Sequence, residues 1–276
     1  MKEIIINNIK IGKNNPLVLI SGPCVIEDEK TTFKIAEILK KISINYKIPL
    51  IFKSSYEKNN RSDVNNYRGP GLKKGLNILK KIKKNFDIPI ISDVHRENDI
   101  DYAGEVLDII QIPAYLCQQT SLLLKAGKTK KCINVKKGQF LSPENMISPV
   151  NKILSTGNDN ILLTERGTCF GYNRLVSDIC CIPIMQKIGF PVIYDSTHIN
   201  RIYGIPSKDK RGGNPEFIKH LTCSGVAAGC DGVFLETHVN PKIALCDASS
   251  MLDIKLLPGL LELIIPINKI IRKEPA

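Results

Sequence analysis

The sequence predicts a (β/α)8 TIM barrel, built as one catalytic domain over residues 1–276. Three observations carry that expectation. Eight short apolar runs rich in Ile, Val and Leu recur along the chain, an amphipathic stretch follows each of them, and nearly every run ends in polar or charged residues. A barrel of this type takes about 250 residues, so 276 residues leave room for one barrel and a short extension.

In order, residues 4–7 and 9–12 read as a short N-terminal β-hairpin closing the bottom of the barrel. The strands follow at 17–21, 50–54, 90–93, 109–113, 132–136, 161–165, 192–195 and 233–236. Helix-like segments lie at 30–42, 71–85, 97–106, 120–125, 143–154, 179–188 and 215–228, and residues 256–272 form the closing helix. An open doubly wound sheet would share this alternation, but it usually brings a phosphate-binding glycine fingerprint after an early strand. None is present; Gly69-Pro70-Gly71 reads only as a turn into a helix.

The charge balance, 39 Lys and Arg against 27 Asp and Glu for a net +12, fits either a nucleic-acid partner or anionic small substrates. Much of it falls in helix-like stretches such as Lys73-Lys74, Lys80-Lys81 and Lys83-Lys84, where a solvated outer face accounts for it. With no Trp and few aromatics to stack on bases, a basic nucleic-acid-binding barrel is the weaker reading, and no nucleic-acid partner is expected. Nine cysteines without a recurring Cys-x-x-Cys spacing indicate neither a disulfide framework nor a zinc ribbon, and imply a reducing, cytoplasmic setting. The N-terminus lacks the long apolar run of a signal peptide, and Pro258, Gly259, Pro266 and Lys269 interrupt the apolar C-terminal stretch, so no membrane segment is expected.

In a barrel enzyme, side chains at the carboxyl ends of the strands converge on one open mouth. Here those ends read Cys24, Lys53-Ser54-Ser55, Asp93-Val94-His95, Gln111, Lys136, Glu165-Arg166, Asp195-Ser196-Thr197-His198 and Glu236-Thr237-His238. Three of the four histidines fall there, while His220 lies in a helix-like segment. Lys53, Lys58, Arg61, Lys136 and Arg166 form a cationic set suited to phosphate and carboxylate groups, whereas Lys137 reads as a surface lysine at a loop start. Cys24, His198, Glu236 and Asp247 supply one thiolate, one imidazole and two carboxylates from neighbouring strand ends. Such mixed ligation favours Zn2+, Fe2+, Mn2+ or Co2+ over Mg2+.

The segments 52–62, 67–71, 134–140, 165–172, 231–238 and 246–249 resemble the signatures of the 3-deoxy-D-manno-octulosonate 8-phosphate (Kdo 8-phosphate) synthase family, and the likeness runs from about Leu17 to the end of the barrel. Cys24, Lys136-Lys137-Gly138-Gln139 and Asp247-Ala248-Ser249 resemble its metal-dependent branch. The resemblance implies condensation of phosphoenolpyruvate with D-arabinose 5-phosphate in lipopolysaccharide Kdo biosynthesis, by a homotetramer with a divalent metal. It implies that Lys53, Ser55, Lys58, Lys136 and Arg166 hold phosphoenolpyruvate and that Asn60, Arg61 and Ser62 hold the sugar phosphate. Lys58, Asp93, His95 and Asp247 are the implied catalytic groups, with Asp93 and His95 lining the reacting centre and handling the water. The related 3-deoxy-D-arabino-heptulosonate 7-phosphate synthases, which use erythrose 4-phosphate, carry a Lys-Pro-Arg-Thr stretch that is absent here. Two departures are visible: Gln118 stands where the family has Arg near the sugar phosphate, and Arg201 where it has Gln, in the loop 199–211. Arg201 is expected to offset part of the charge lost at Gln118.

Overall fold

The structure is a computed structural model that describes residues 1–172, 174–202, 204–206 and 209–272. Strands β1 (Ile4–Ile6) and β2 (Ile9–Ile11) pair antiparallel, with Ile4 opposite Ile11. Eight parallel strands follow: β3 (Val18–Gly22), β4 (Leu50–Lys53), β5 (Ile90–Asp93), β6 (Ile109–Ile112), β7 (Cys132–Lys136), β8 (Ile161–Glu165), β9 (Val192–Asp195) and β10 (Gly232–His238). Each pairs with its sequence neighbour, and β10 pairs with both β9 and β3, which closes the ring. A two-residue strand, β11 (Leu252–Asp253), pairs parallel with the last two residues of β10, Thr237 and His238.

Because side chains alternate along a strand, the ring has two apolar faces. The inner one consists of Val18, Ile20, Ile51, Ile91, Ile109, Cys132, Leu162, Ile193 and Phe234, and the hairpin's Ile4, Ile6, Ile9 and Ile11 pack into the same cluster. The hairpin therefore plugs the end of the barrel away from the strand carboxyl termini. The outer face packs against helices α1 (Glu29–Tyr46), α2 (Leu72–Phe86), α3 (Ile100–Val106), α4 (Thr120–Lys128), α5 (Ile147–Leu154), α6 (Cys181–Gln186), α8 (Ile218–Ala227) and α9 (Leu257–Ile271); between β9 and α8 lies the single turn α7 (Ser196–Ile199). In α2, Leu76, Leu79 and Ile82 are buried while Lys73, Lys74, Lys80, Lys81 and Lys84 are exposed, the solvated basic face expected of that stretch.

Helix ends depart from the sequence reading by a few residues. The first helix starts where Asp28 accepts a hydrogen bond from the Thr31 amide at 2.7 Å, and it runs four residues beyond the expected end to a left-handed Lys47. The expected helices at 97–106, 143–154 and 215–228 each open with a 3-10 turn before the α-helix begins. No helix among the described residues is long and apolar enough to cross a membrane.

Candidate active site

At the carboxyl end of the ring the inner face turns from apolar to polar. Thr164 Oγ1 donates to Asn134 Oδ1 at 2.7 Å, Asn134 Nδ2 to Gln111 Oε1 at 2.8 Å, and Gln111 Nε2 to Asp93 Oδ1 at 2.6 Å. This buried relay crosses four adjacent strands and ends on one carboxylate. The other oxygen of Asp93 accepts from Ser55 Oγ at 2.7 Å and Lys58 Nζ at 2.6 Å. Burial opposes charge on both members of the Asp93–Lys58 pair, but their attraction outweighs it. The carboxyl is held well below its usual range and the ammonium well above.

Across the mouth, Asp195 is wholly buried, and its Oδ2 lies 2.5 Å from Lys136 Nζ and 2.7 Å from His198 Nδ1. Lys136 Nζ also sits 4.3 Å from the centre of the Phe234 ring, which forms the apolar floor beneath it. Lys53 lies deeper, 1% exposed, bonded to Glu236 Oε1 and, at 2.9 Å, to the Cys24 carbonyl oxygen. The close turn after β3 explains how the Cys24 carbonyl reaches it. Gly22 has φ 153° and a Cβ there would stand 2.0 Å from the Lys53 carbonyl oxygen, so only glycine lets the two strand ends approach.

Above this floor opens a cavity of about 850 Å3. Lys58, Asn60, Arg61, Ser62, Asp93, His95, Lys136, Arg166, His198 and Asp247 all line it, so most of the expected site residues meet at one mouth. Cys24, Lys53, Ser55 and Glu236 lie beneath the lining, each at most 1% exposed. His95 Nε2 is buried without a hydrogen-bond partner, and burial pushes the imidazole down to about 4, so it is neutral at physiological pH.

The four expected metal ligands converge from three strand ends. Cys24 Sγ is 3.2 Å from Asp247 Oδ2, and His198 Nε2 is 3.6 Å from Glu236 Oε2 and 3.7 Å from Asp247 Oδ2. Asp247 takes the left-handed conformation, φ 50°, which turns its carboxylate back toward β10. A divalent cation fits this donor set: Nδ1 of His198 is occupied by Asp195, leaving Nε2 to face two carboxylates, the arrangement that orients a ligating imidazole. Burial, the neighbouring Cys246 thiol and the carboxylates of Asp247 and Glu236 push the Cys24 thiol well up.

One expectation fails. Lys137 is no surface lysine: it is wholly buried, 3.5 Å from Glu165 Oε2, and it donates to Thr168 Oγ1 at 3.1 Å. Arg201 lines the same cavity as Asn60, Arg61 and Ser62, and it donates to Asp247 Oδ1 at 3.1 Å. Within its loop, Tyr203, Ser207 and Lys208 lie outside the described residues. Gln118 does not line this chain's cavity; its Oε1 accepts from Ser148 at 3.4 Å. His238, grouped by sequence with the strand-end histidines, stays out of the cavity and faces Glu27 Oε2 at 3.5 Å. Glu27 in turn accepts from the Leu245 amide at 2.7 Å, which anchors the segment leading to Asp247.

Asp195, Cys246 and the Gln111–Asn134–Thr164 relay were missed as site residues. The signal for the relay was there: Gln111, Asn134 and Thr164 are polar residues inside apolar strand runs, at positions whose period of two directs them inward.

A closed parallel barrel whose mouth gathers Lys58, Arg61, Lys136 and Arg166 beside a donor set that fits a divalent ion is the kind of site that suits small anionic substrates. Residues 2–272 match the DAHP synthetase I family, and the chain belongs to that family. Within it, the chain is 49% identical over 272 residues to the 2-dehydro-3-deoxyphosphooctonate aldolase of Geotalea uraniireducens, covering 99% of this chain and 100% of the relative. The proteins of the same name from Geobacter metallireducens and Geotalea daltonii are 50% and 49% identical, over 98% and 99% of this chain.

Proposed function

We propose that this chain, acting as a single catalytic domain, condenses phosphoenolpyruvate with D-arabinose 5-phosphate and water to give 3-deoxy-D-manno-octulosonate 8-phosphate and inorganic phosphate. The cavity carries the reading: about 850 Å3 walled by Lys58, Arg61, Lys136 and Arg166, with Asp93 and Asp247 as the acidic counterweight. That volume lies in the range of small-molecule sites and suits two polar anions. The relatives' shared name supports this product over the seven-carbon product that erythrose 4-phosphate would give.

Lys58, Lys136 and Arg166 hold the phosphate and carboxylate of phosphoenolpyruvate, with Lys53 and Ser55 supporting them from the floor. Asn60, Arg61 and Ser62, on the loop after β4, hold the sugar phosphate. C3 of phosphoenolpyruvate forms a bond to the aldehyde carbon, whose oxygen takes up a proton. Water adds at C2, and the C–O bond to phosphate breaks. Asp93 stays ionised and fixes Lys58, while neutral His95 presents Nε2 to the attacking water without adding charge. A divalent ion held by Cys24, His198, Glu236 and Asp247, one of Zn2+, Fe2+, Mn2+ or Co2+, would supply Lewis acidity toward the aldehyde or a water, with no redox role. The enzyme works in the cytoplasm as a homotetramer, and neither nucleic acid nor membrane is a partner.

Replacing Lys136 or Arg166 with Ala tests the assignment. Each change removes a charge-assisted bond worth roughly 1.5–3 kcal/mol, or about ten- to a hundredfold in kcat/KM for phosphoenolpyruvate. Normal turnover by either variant would show that the substrate sits elsewhere.

A further inference from the structure

Lys136 and Arg166 stand at the ends of the adjacent strands β7 and β8 and line the cavity, whereas their chain neighbours Lys137 and Glu165 do not, as alternation along an extended chain requires. Both neighbours are wholly buried behind the mouth, with Lys137 Nζ 3.5 Å from Glu165 Oε2. The Lys137 amide donates to the Thr164 carbonyl oxygen at 2.8 Å, which carries the β7–β8 ladder past the end of β7. Lys137 Nζ also donates to the Leu141 carbonyl oxygen at 3.2 Å and to Thr168 Oγ1 at 3.1 Å, while Glu165 Oε1 accepts from the Gly167 amide at 2.7 Å and from Ser177 Oγ at 3.3 Å. One carboxylate therefore holds the backbone on the far side of Arg166, and one ammonium reaches the loops after both strands. Between those loops the Cys169 amide donates to the carbonyl oxygen of Gln139, another residue of the cavity wall, at 3.2 Å.

We propose that Lys137 and Glu165 are positioning residues, which together fix the spacing of the Lys136 ammonium and the Arg166 guanidinium so that both close on one phosphoenolpyruvate. The inference rests on the assignment of those two cations to phosphoenolpyruvate. An intact buried ion pair adds little net stability, because the cost of desolvating both charges offsets their attraction. What this pair contributes is geometry. Two cations at one mouth repel each other, and anchoring their backbones from behind opposes that separation before the anion arrives.

The double variant Lys137→Met/Glu165→Gln removes both charges at once and strands neither, so urea unfolding should show a stable fold. Calorimetric titration of the metal-loaded double variant with phosphoenolpyruvate alone should give a Kd raised about tenfold. Its KM for arabinose 5-phosphate should stay within about twofold of wild type, because Asn60, Arg61 and Ser62 hang on the loop after β4. An unchanged Kd for phosphoenolpyruvate in the folded double variant makes the pair merely structural and overturns the inference, as does an equal rise in both constants. Should the double variant not fold, Thr168→Val decides in its place: it cuts one tie of Lys137 to the loop after β8, leaves the ion pair, and should raise the same Kd about threefold, an unchanged Kd again overturning the inference. Arg166→Ala is titrated alongside. Weakened binding there with normal binding in the pair variants removes only the positioning role, whereas normal binding in Arg166→Ala shows that phosphoenolpyruvate sits elsewhere and sinks both.

Discussion

Asp195→Asn separates the two jobs given to one buried carboxylate. Its Oδ2 serves Lys136 at 2.5 Å and His198 at 2.7 Å, and no other carboxylate among the described residues pairs with Lys136. The amide keeps shape and one acceptor oxygen but leaves the Lys136 ammonium buried without a counter-charge. Breaking a buried ion pair from one side costs about 3–5 kcal/mol, and the remaining acceptor puts this case near the lower end. Loss of the charge behind the imidazole should also weaken metal binding about ten- to a hundredfold. Urea unfolding at neutral pH and a chelator-buffered metal titration read the two effects separately. Burial opposes ionisation of Asp195, but His198 and Lys136 overcome it and hold the carboxyl well below its ordinary value, so its contribution is complete above roughly pH 4 and is lost as pH falls through the depressed value. The stability gap between wild type and Asp195→Asn should therefore narrow in acid. A variant within about 1 kcal/mol of wild type at pH 7, with unchanged metal affinity, would refute the reasoning.

Two further outcomes are expected. Gly225 on α8 lies against Tyr194 on β9, and an added Cβ would stand 2.3 Å from the ring, so Gly225→Ala should lose about 1–3 kcal/mol, read as a lower Tm; an unchanged Tm would mean that helix and strand are not so closely packed. His95 should titrate in an NMR experiment with a midpoint near 4, and its neutral form should persist across the working range. A midpoint near 6.5 would remove burial as the dominant influence on that ring.

The strands were legible because β-branched runs bounded by turn residues recur eight times, and all eight lie within a residue or two of their expected positions. The convergence of Lys58, Arg61, Lys136 and Arg166 followed from the barrel geometry itself, since strand ends can only meet at one mouth. What escaped depends on partners far apart in sequence. Lys137 was misread because its counter-charge, Glu165, lies on the next strand, and a lysine beside a loop carries no mark of burial. Asp195 was seen as a strand-end residue, but its double attachment to Lys136 and His198 exists only in three dimensions. The turn α7 that presents His198 is four residues long, too short for any helical period to register.

Whether the mouth joins phosphoenolpyruvate to a five-carbon sugar phosphate is read from the rate of phosphate release from phosphoenolpyruvate by purified, metal-loaded enzyme. Arabinose 5-phosphate, erythrose 4-phosphate and no sugar are compared side by side. Rapid release is expected with arabinose 5-phosphate and a far lower kcat/KM with erythrose 4-phosphate, with no release in the absence of sugar. Equal or faster release with erythrose 4-phosphate, or release that needs no sugar at all, would contradict it.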